Sequence, residues 1–295
     1  MMGGLSLIAF TLLSVANNEA QIIAYDGFNY TGGANLTGLN GGTPVSNPGW
    51  TAAWKLTAGS ETTTTVAPSG LSYTDGHGNT LVVAGNSIQD PDASKHGNGR
   101  TVKYTSSSLF TTGTSVWMSA LVKSTYTGVT ASNLVIMPFC PSNDPGNTPG
   151  DGINITSSNL GVTVSSDLGG INSSTLAGTS GSTMLIVAKL TFGGGGTSDS
   201  ITTWVNPFLD TTPSTGGVTA NGTSTISLFT ATSTTFAVRG GSPWTGFMDE
   251  FRVGLSFNDV VPQVAVVPEP STFALVGFGC VGLLMVLRRR KSAMS

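Results

Sequence analysis

The sequence predicts an all-β domain of two packed antiparallel sheets or a closed barrel, set between one apolar stretch near each end of the chain. Three observations point there. Short runs rich in β-branched and aromatic residues are separated by clusters of Gly, Pro, Asn and Asp, and no segment sustains a helical period. Only 9% of the 295 residues are charged, whereas ordinary soluble domains carry charge on about a quarter, so long charged helices are excluded. The chain holds 40 Gly and 14 Pro, which suits many turns between short strands.

The strands can be taken in order. Val116 to Lys123 alternates: Val116, Met118, Ala120 and Val122 share the face expected to be dry, and Trp117, Ser119, Leu121 and Lys123 share the other. Leu134 to Phe139 and Met184 to Phe192 are continuous apolar runs, as expected of central strands covered on both sides. Ile201 to Val205 follows across a Gly-rich loop, Gly193 to Ser200, and predicts a hairpin. Further strands are expected at Leu160 to Val164, Thr225 to Phe229, Thr235 to Arg239 and Phe247 to Val253. Eight or more strands need a second sheet or closure, because a single open sheet would leave one face and both edges exposed.

Charge is distributed unevenly. Four of the 12 basic residues form one block, Arg288, Arg289, Arg290 and Lys291, and the other eight stand against all 15 acidic residues, a formal charge of −7. Those eight are scattered singly, so a surface that tracks nucleic-acid phosphates is disfavoured. The two cysteines, Cys140 and Cys280, make no disulfide framework, because the second lies within the apolar C-terminal stretch.

Leu5 to Val15 is an apolar run of signal-peptide length. Ser14-Val15-Ala16, with small residues at the two positions signal peptidase reads, predicts a signal peptide over 1–16, with Ala20 as a second cut point; no basic residue precedes the run. The body of the fold is then expected over 21–262, a linker over 263–270, a transmembrane helix over 271–287 and a basic cytoplasmic tail over 288–295. Ser271 to Leu287 is 17 residues without a charge, roughly 26 Å as a helix, and snorkelling arginines can close the small gap to a bilayer core. The basic block after it serves as a stop-transfer signal, and the positive-inside rule places everything before Ser271 outside the cytoplasm.

Immediately before that span lies Val267-Pro268-Glu269-Pro270. Pro-Glu-Pro, an apolar helix and a terminal arginine cluster, in that order, resemble the bacterial PEP-CTERM sorting signal. The resemblance covers about the last 29 residues and implies a bacterial protein whose partner is an exosortase, an integral-membrane enzyme that recognises the motif and processes the chain near it. By the same resemblance Pro268, Glu269 and Pro270 are recognition residues, 271–287 a transient anchor, and Arg288 to Arg290 the stop signal. The physics is compatible, since paired prolines hold the backbone extended above the membrane.

Ala24-Tyr25-Asp26-Gly27-Phe28-Asn29-Tyr30, Leu39 to Gly42, Trp50 to Trp54, Trp204 to Pro207 and Gly246 to Gly254 resemble the opening and later strands of concanavalin A-like, laminin-G-type proteins that carry this tail. That likeness implies an antiparallel β-sandwich jelly roll in which the first segment returns beside Asp249 to Arg252. The group includes sugar-binding and calcium-assisted members, so an extracellular polysaccharide is a further expected partner.

Glycoside hydrolysis needs two carboxylates facing one substrate. The adjacent pair here, Asp249 and Glu250, would point to opposite faces of a strand, and Arg252 shares a face with Glu250 as a candidate ion pair. No catalytic residue and no catalytic cofactor are therefore expected. A structural calcium ion has candidate ligands in Asp75, in Asp90 and Asp92, and in Asp144 and Asp151, although each of these loops is equally ordinary turn chemistry. Zinc is not expected, because His77 and His96 sit in Gly-rich loops without a cysteine partner. Among the tryptophans that could stack on a sugar ring, Trp244 is the candidate platform, and core packing is expected for most of the others.

Overall fold

A computed structural model describes residues 22–43, 49–58, 64–90, 96–103, 112–129, 132–140, 151–168, 171–193, 199–222, 233–240 and 245–263. The expected signal peptide, the strand at Thr225 to Phe229, Asp92, Asp144, Trp244, the Pro-Glu-Pro motif, the 271–287 span and the arginine block lie outside them. The chain divides into two units, Met1–Pro262 and Gln263–Ser295, and the first carries all the elements below. Among the described residues no helix is long and apolar enough to cross a membrane.

In chain order the strands are β1 (Ile22–Asp26), β2 (Gly49–Trp50), β3 (Lys55–Ala58), β4 (Thr65–Val66), β5 (Ile88–Asp90) and β6 (His96–Lys103). There follow β7 (Ser115–Ser124), β8 (Ser132–Cys140), β9 (Asp151–Ser158), β10 (Gly161–Leu168), β11 (Ile171–Asn172) and β12 (Leu176–Gly178). The last are β13 (Met184–Thr191), β14 (Asp199–Val205), β15 (Val218–Gly222), β16 (Ser233–Gly240) and β17 (Gly246–Gly254), then one helical turn, α1 (Phe257–Val260). They form two antiparallel sheets. One runs β15-β14-β13-β7-β17-β5-β4 with β1 on β17, and the other runs β11-β10-β9-β8-β16-β6-β2 with β12 on β10 and β3 on β6. The expected hairpin is β13 and β14, paired from Ile186–Val205 to Thr191–Ser200.

The main core lies between the sheets and takes the predicted dry face: Val116, Met118, Ala120 and Val122 meet Ile136, Ile153, Ile155 and Val164 of the second sheet. At one end Trp50, Trp54, Phe28, Phe236 and Phe251 form an aromatic knot in which Phe236 stacks on Phe251. Trp50 and Trp54 are fully buried, so both belong to packing. Two hydroxyl contacts join buried polar side chains: Ser166 Oγ meets Thr203 Oγ1 at 2.7 Å, and Ser124 Oγ donates to Ser157 Oγ at 2.7 Å.

Three local expectations change. Leu160 does not begin a strand; it is the exposed tip of the β9–β10 turn. β8 is not covered on both sides over Asn133–Ile136, where Leu134 and Ile136 are buried, Val135 is half-buried and Asn133 is exposed. The other face of β7 is partly dry, because a second core packs Trp117 and Leu121 with Leu185, Val187, Trp204, Leu209, Phe257, Val260 and Val261. Segment 71–84, segment 206–209 and α1 supply that cover, and the buried Ser119 hydroxyl is satisfied by donating to Val260 O at 2.5 Å.

Candidate functional site

The first and last strands meet as expected, with Ala24 opposite Val253, Tyr25 opposite Arg252 and Asp26 opposite Phe251. Asp26 explains the opening motif. Fully buried, it accepts from Phe28 N at 2.9 Å, Tyr30 OH at 2.8 Å and Trp54 Nε1 at 2.9 Å. Two donors from the segment just after β1 and a third from Trp54, 28 residues on, fix the chain path there.

Beside it, strict alternation fails. β17 carries a bulge between Asp249 and Arg252 against β7, and Glu250 sits in the left-handed region at φ 55°. Asp249 and Glu250 are consequently both buried. Asp249 accepts from Leu71 N and Glu250 N, each at 2.7 Å. Glu250 Oε1 accepts from Ala84 N at 2.6 Å and Tyr25 OH at 3.2 Å, while Oε2 pairs with Arg252. Arg252 also donates to Val82 O at 2.5 Å, and its guanidinium lies 4.7 Å from the Tyr25 ring centroid. Burial raises the Asp249 carboxyl to about 8 and raises Glu250 as well, with Arg252 opposing both shifts. These groups clamp segment 71–84 onto the sheet at both ends. The predicted Glu250–Arg252 pair is present, and all four oxygens of the two acids are engaged.

Of the calcium candidates, Asp75 lies in a turn, Asp90 ends β5 in one sheet and Asp151 begins β9 in the other. Among the described residues Asp75, His77 and Asp210 converge, with ligand atoms within 4.8 Å of one another. Asp75 Oδ1 accepts from His77 N at 2.9 Å and Asn79 N at 2.8 Å; Oδ2 accepts from Leu209 N at 2.8 Å and Asn79 Nδ2 at 3.1 Å. Burial opposes its charge, but the donors of Leu209, Asn79 and His77 prevail and hold the carboxyl below its usual range. Four N–H groups converge on this side chain, so Asp75 ties the 73–80 turn to the loop after β14. His77 stacks on Phe208 at 3.7 Å and meets Asp210 at 3.0 Å, both at the surface.

A concave feature of the first sheet lies on its outer face. A groove of about 450 Å³ is floored by Trp117, Lys189, Thr191, Thr202, Trp204 and Thr219 and walled by residues 212–217. A neighbouring hollow of about 330 Å³ shares Trp204 and Thr212 to Gly216 and adds Asn206 to Phe208. Register makes the floor. Trp117 is opposite Lys189, Lys189 opposite Thr202, and Thr202 opposite Thr219, one row across β7, β13, β14 and β15. The next row outward is Ser115, Thr191, Ser200 and Asn221. The outer face thus passes from the second core, through two tryptophans, to a field of hydroxyls.

Trp117 and Trp204 stack at 5.7 Å, and each leaves only 7% of its surface to solvent. Trp204 Nε1 donates to Thr215 O at 3.1 Å, and a Cβ at Gly217 would lie 2.6 Å from that nitrogen, so the loop lies tight on the indole. The tryptophans are wall and support, and polar groups supply the open lining. Lys189 Nζ stands 5.4 Å from the Trp117 ring centroid. Sequence reasoning missed Lys189, Thr202, Trp204 and Thr219 as one surface. The alternation of β14 puts Ser200, Thr202 and Trp204 on one face, but their neighbours come from strands far apart in sequence.

The family model for the PEP-CTERM protein-sorting motif matches residues 266–291. No curated protein matches the chain. Among solved structures, a carbohydrate esterase from the Shiga toxin-encoding bacteriophage phi24B is similar at 13% identity, covering 69% of this chain and 90% of its own, with TM-score 0.37. The Emp47p carbohydrate recognition domain is similar at 13% identity, 76% and 94% coverage and TM-score 0.36. Domain 4 of an extracellular arabinanase from Geobacillus stearothermophilus, in complex with arabinotriose, is similar at 12% identity, 82% and 97% coverage and TM-score 0.35. The strand order itself carries the assignment of the domain as an antiparallel β-sandwich. The C-terminal segment, with Pro268, Glu269 and Pro270 inside the match and Arg288 to Lys291 closing it, carries the PEP-CTERM protein-sorting motif, a signal for export and sorting to the cell envelope.

Proposed function

We propose that the protein is a non-catalytic component of the bacterial cell surface or extracellular matrix, held in the membrane by residues 271–287 until an exosortase processes it at Pro268-Glu269-Pro270. The sorting motif over 266–291 carries this reading. The state of the acids supports its non-catalytic part: Asp249 and Glu250 are buried and bound to their own fold, and the groove lining holds no carboxylate. Replacing Pro268, Glu269 and Pro270 by Ala in the native host should cause a full-length membrane form to accumulate. Unchanged mass and distribution would refute processing at the motif.

A second reading, a polysaccharide-binding module with the same address, is favoured by the hydroxyl-lined groove above Lys189. Hydroxyls that both donate and accept, beside one fixed cation, suit a polyhydroxylated ligand. Binding without glycoside hydrolysis by the usual two-carboxylate route is expected, because the groove lining holds no carboxylate. Trp244, the platform expected from sequence, is a second candidate to be tested by Trp244→Ala in the same assay. A structural calcium ion keeps its candidate ligands Asp75, Asp90, Asp92, Asp144 and Asp151, and a melting temperature lowered by a calcium chelator would reveal it.

A further inference from the structure

We propose that the groove over β7, β13, β14 and β15 takes an acidic polysaccharide, with a sugar carboxylate seated on the Lys189 ammonium. This rests on the second reading above and adds the charge of the ligand.

Four observations carry it. Lys189 is the charged residue of the lining, and no Asp or Glu accompanies it. Among the described residues Lys189 forms no ion pair, so its charge is answered only by the Trp117 ring. That ring holds the ammonium at 5.4 Å, which lowers the ordering cost when an anion arrives. The hydroxyls of Thr202 and Thr219, 2.8 Å apart and on the row with Lys189, donate and accept beside it. The tryptophan faces are covered, so recognition here is polar and ionic rather than by stacking.

Most of the protein repels such a polymer, since outside the arginine block 15 acidic residues face eight basic ones. Screening settles the balance. At physiological salt the Debye length is about 8 Å, so distant carboxylates are muted while a contact pair in a half-enclosed groove is not. Four strands about 4.8 Å apart give a floor roughly 14 Å wide, room for an extended chain rather than a single small ion.

The test uses the full-length chain purified in mild detergent, with polygalacturonate as the acidic probe and dextran as the neutral one. Wild type should bind polygalacturonate in preference to dextran, more weakly as salt rises. Lys189→Gln should weaken that binding about tenfold or more, and Lys189→Arg should restore it. Thr219→Asp, at an exposed floor position, should do the same as Lys189→Gln while keeping the wild-type melting temperature. Binding unchanged by Lys189→Gln overturns the proposal. If dextran binds equally well and is lost in Thr219→Asp, the groove is a sugar site but the charge assignment is wrong. If neither polymer binds, both readings fail.

Discussion

Glu250 turns its carboxylate onto the Arg252 guanidinium two residues along the same strand, and both side chains are excluded from water. The geometry depends on the bulge that sets Glu250 at φ 55°. A buried pair that also holds Ala84 N and Val82 O is costly to break from one side, because the survivor keeps its charge without a partner. Arg252→Met is expected to lower unfolding free energy by about 3–5 kcal/mol, read from urea denaturation. A loss below about 1 kcal/mol would show that segment 71–84 is held by other means.

Asp249 gives the domain a pH dependence of definite sign. Burial raises its carboxyl from 3.8 to about 8, and the unfolded chain returns it to the lower value. The folded form therefore keeps a proton that the unfolded form has lost, so this contribution is complete below the unfolded value and disappears as pH rises through about 8. Glu250 is shifted in the same direction. Thermal melts between about pH 5 and about pH 8 should show stability falling with pH, and Asp249→Asn should flatten that slope. A wild-type curve that rises over this range would contradict the burial argument.

Asp75 ties two loops that wall the outer face. Asp75→Ala would leave four N–H donors without their acceptor, one of them from the buried Leu209. A loss of about 1–3 kcal/mol is expected, with faster proteolysis of the 206–217 loop. If chelator addition reproduced this loss in wild type, a metal rather than the turn would be the tie.

Gly85 occupies φ 90°, and a Cβ there would lie 2.2 Å from Gly27 O. Since the atoms met belong to the backbone of Gly27 and Asn29, no flexible side chain can move aside. Gly85→Ala should cost about 2 kcal/mol or more by chemical denaturation, whereas Gly33→Ala, at φ 82° in open space, should cost only the conformational strain, about 1 kcal/mol.

Much of the sandwich was legible because its signals are local. Alternation in Val116 to Val122 identified the core face of β7, the Gly-rich loop announced the β13–β14 hairpin, and residues 24–26 do lie beside 251–253. The bulge was not legible, since nothing in Asp249-Glu250-Phe251 marks the residue that leaves the alternation. The second core was hidden for another reason: Leu81, Leu209 and Val260 come from three loops without periodicity and become apolar neighbours only after folding. Lys189 and Thr219 likewise fall in one row, either side of Thr202, only through the register of β13, β14 and β15, which no short window contains. The Glu250–Arg252 pair was foreseen from their shared strand face, but not their shared role in clamping segment 71–84.

The central claim is that the C-terminal motif directs export and is then removed. Its most direct test is the intact mass of the protein recovered from its native cells, compared with the Pro268→Ala, Glu269→Ala, Pro270→Ala triple variant. The account predicts a wild-type species lacking the N-terminal apolar run and the residues after the motif, and a variant that retains the C-terminal segment and stays with the membrane. A wild-type mass equal to the full 295-residue chain would contradict it.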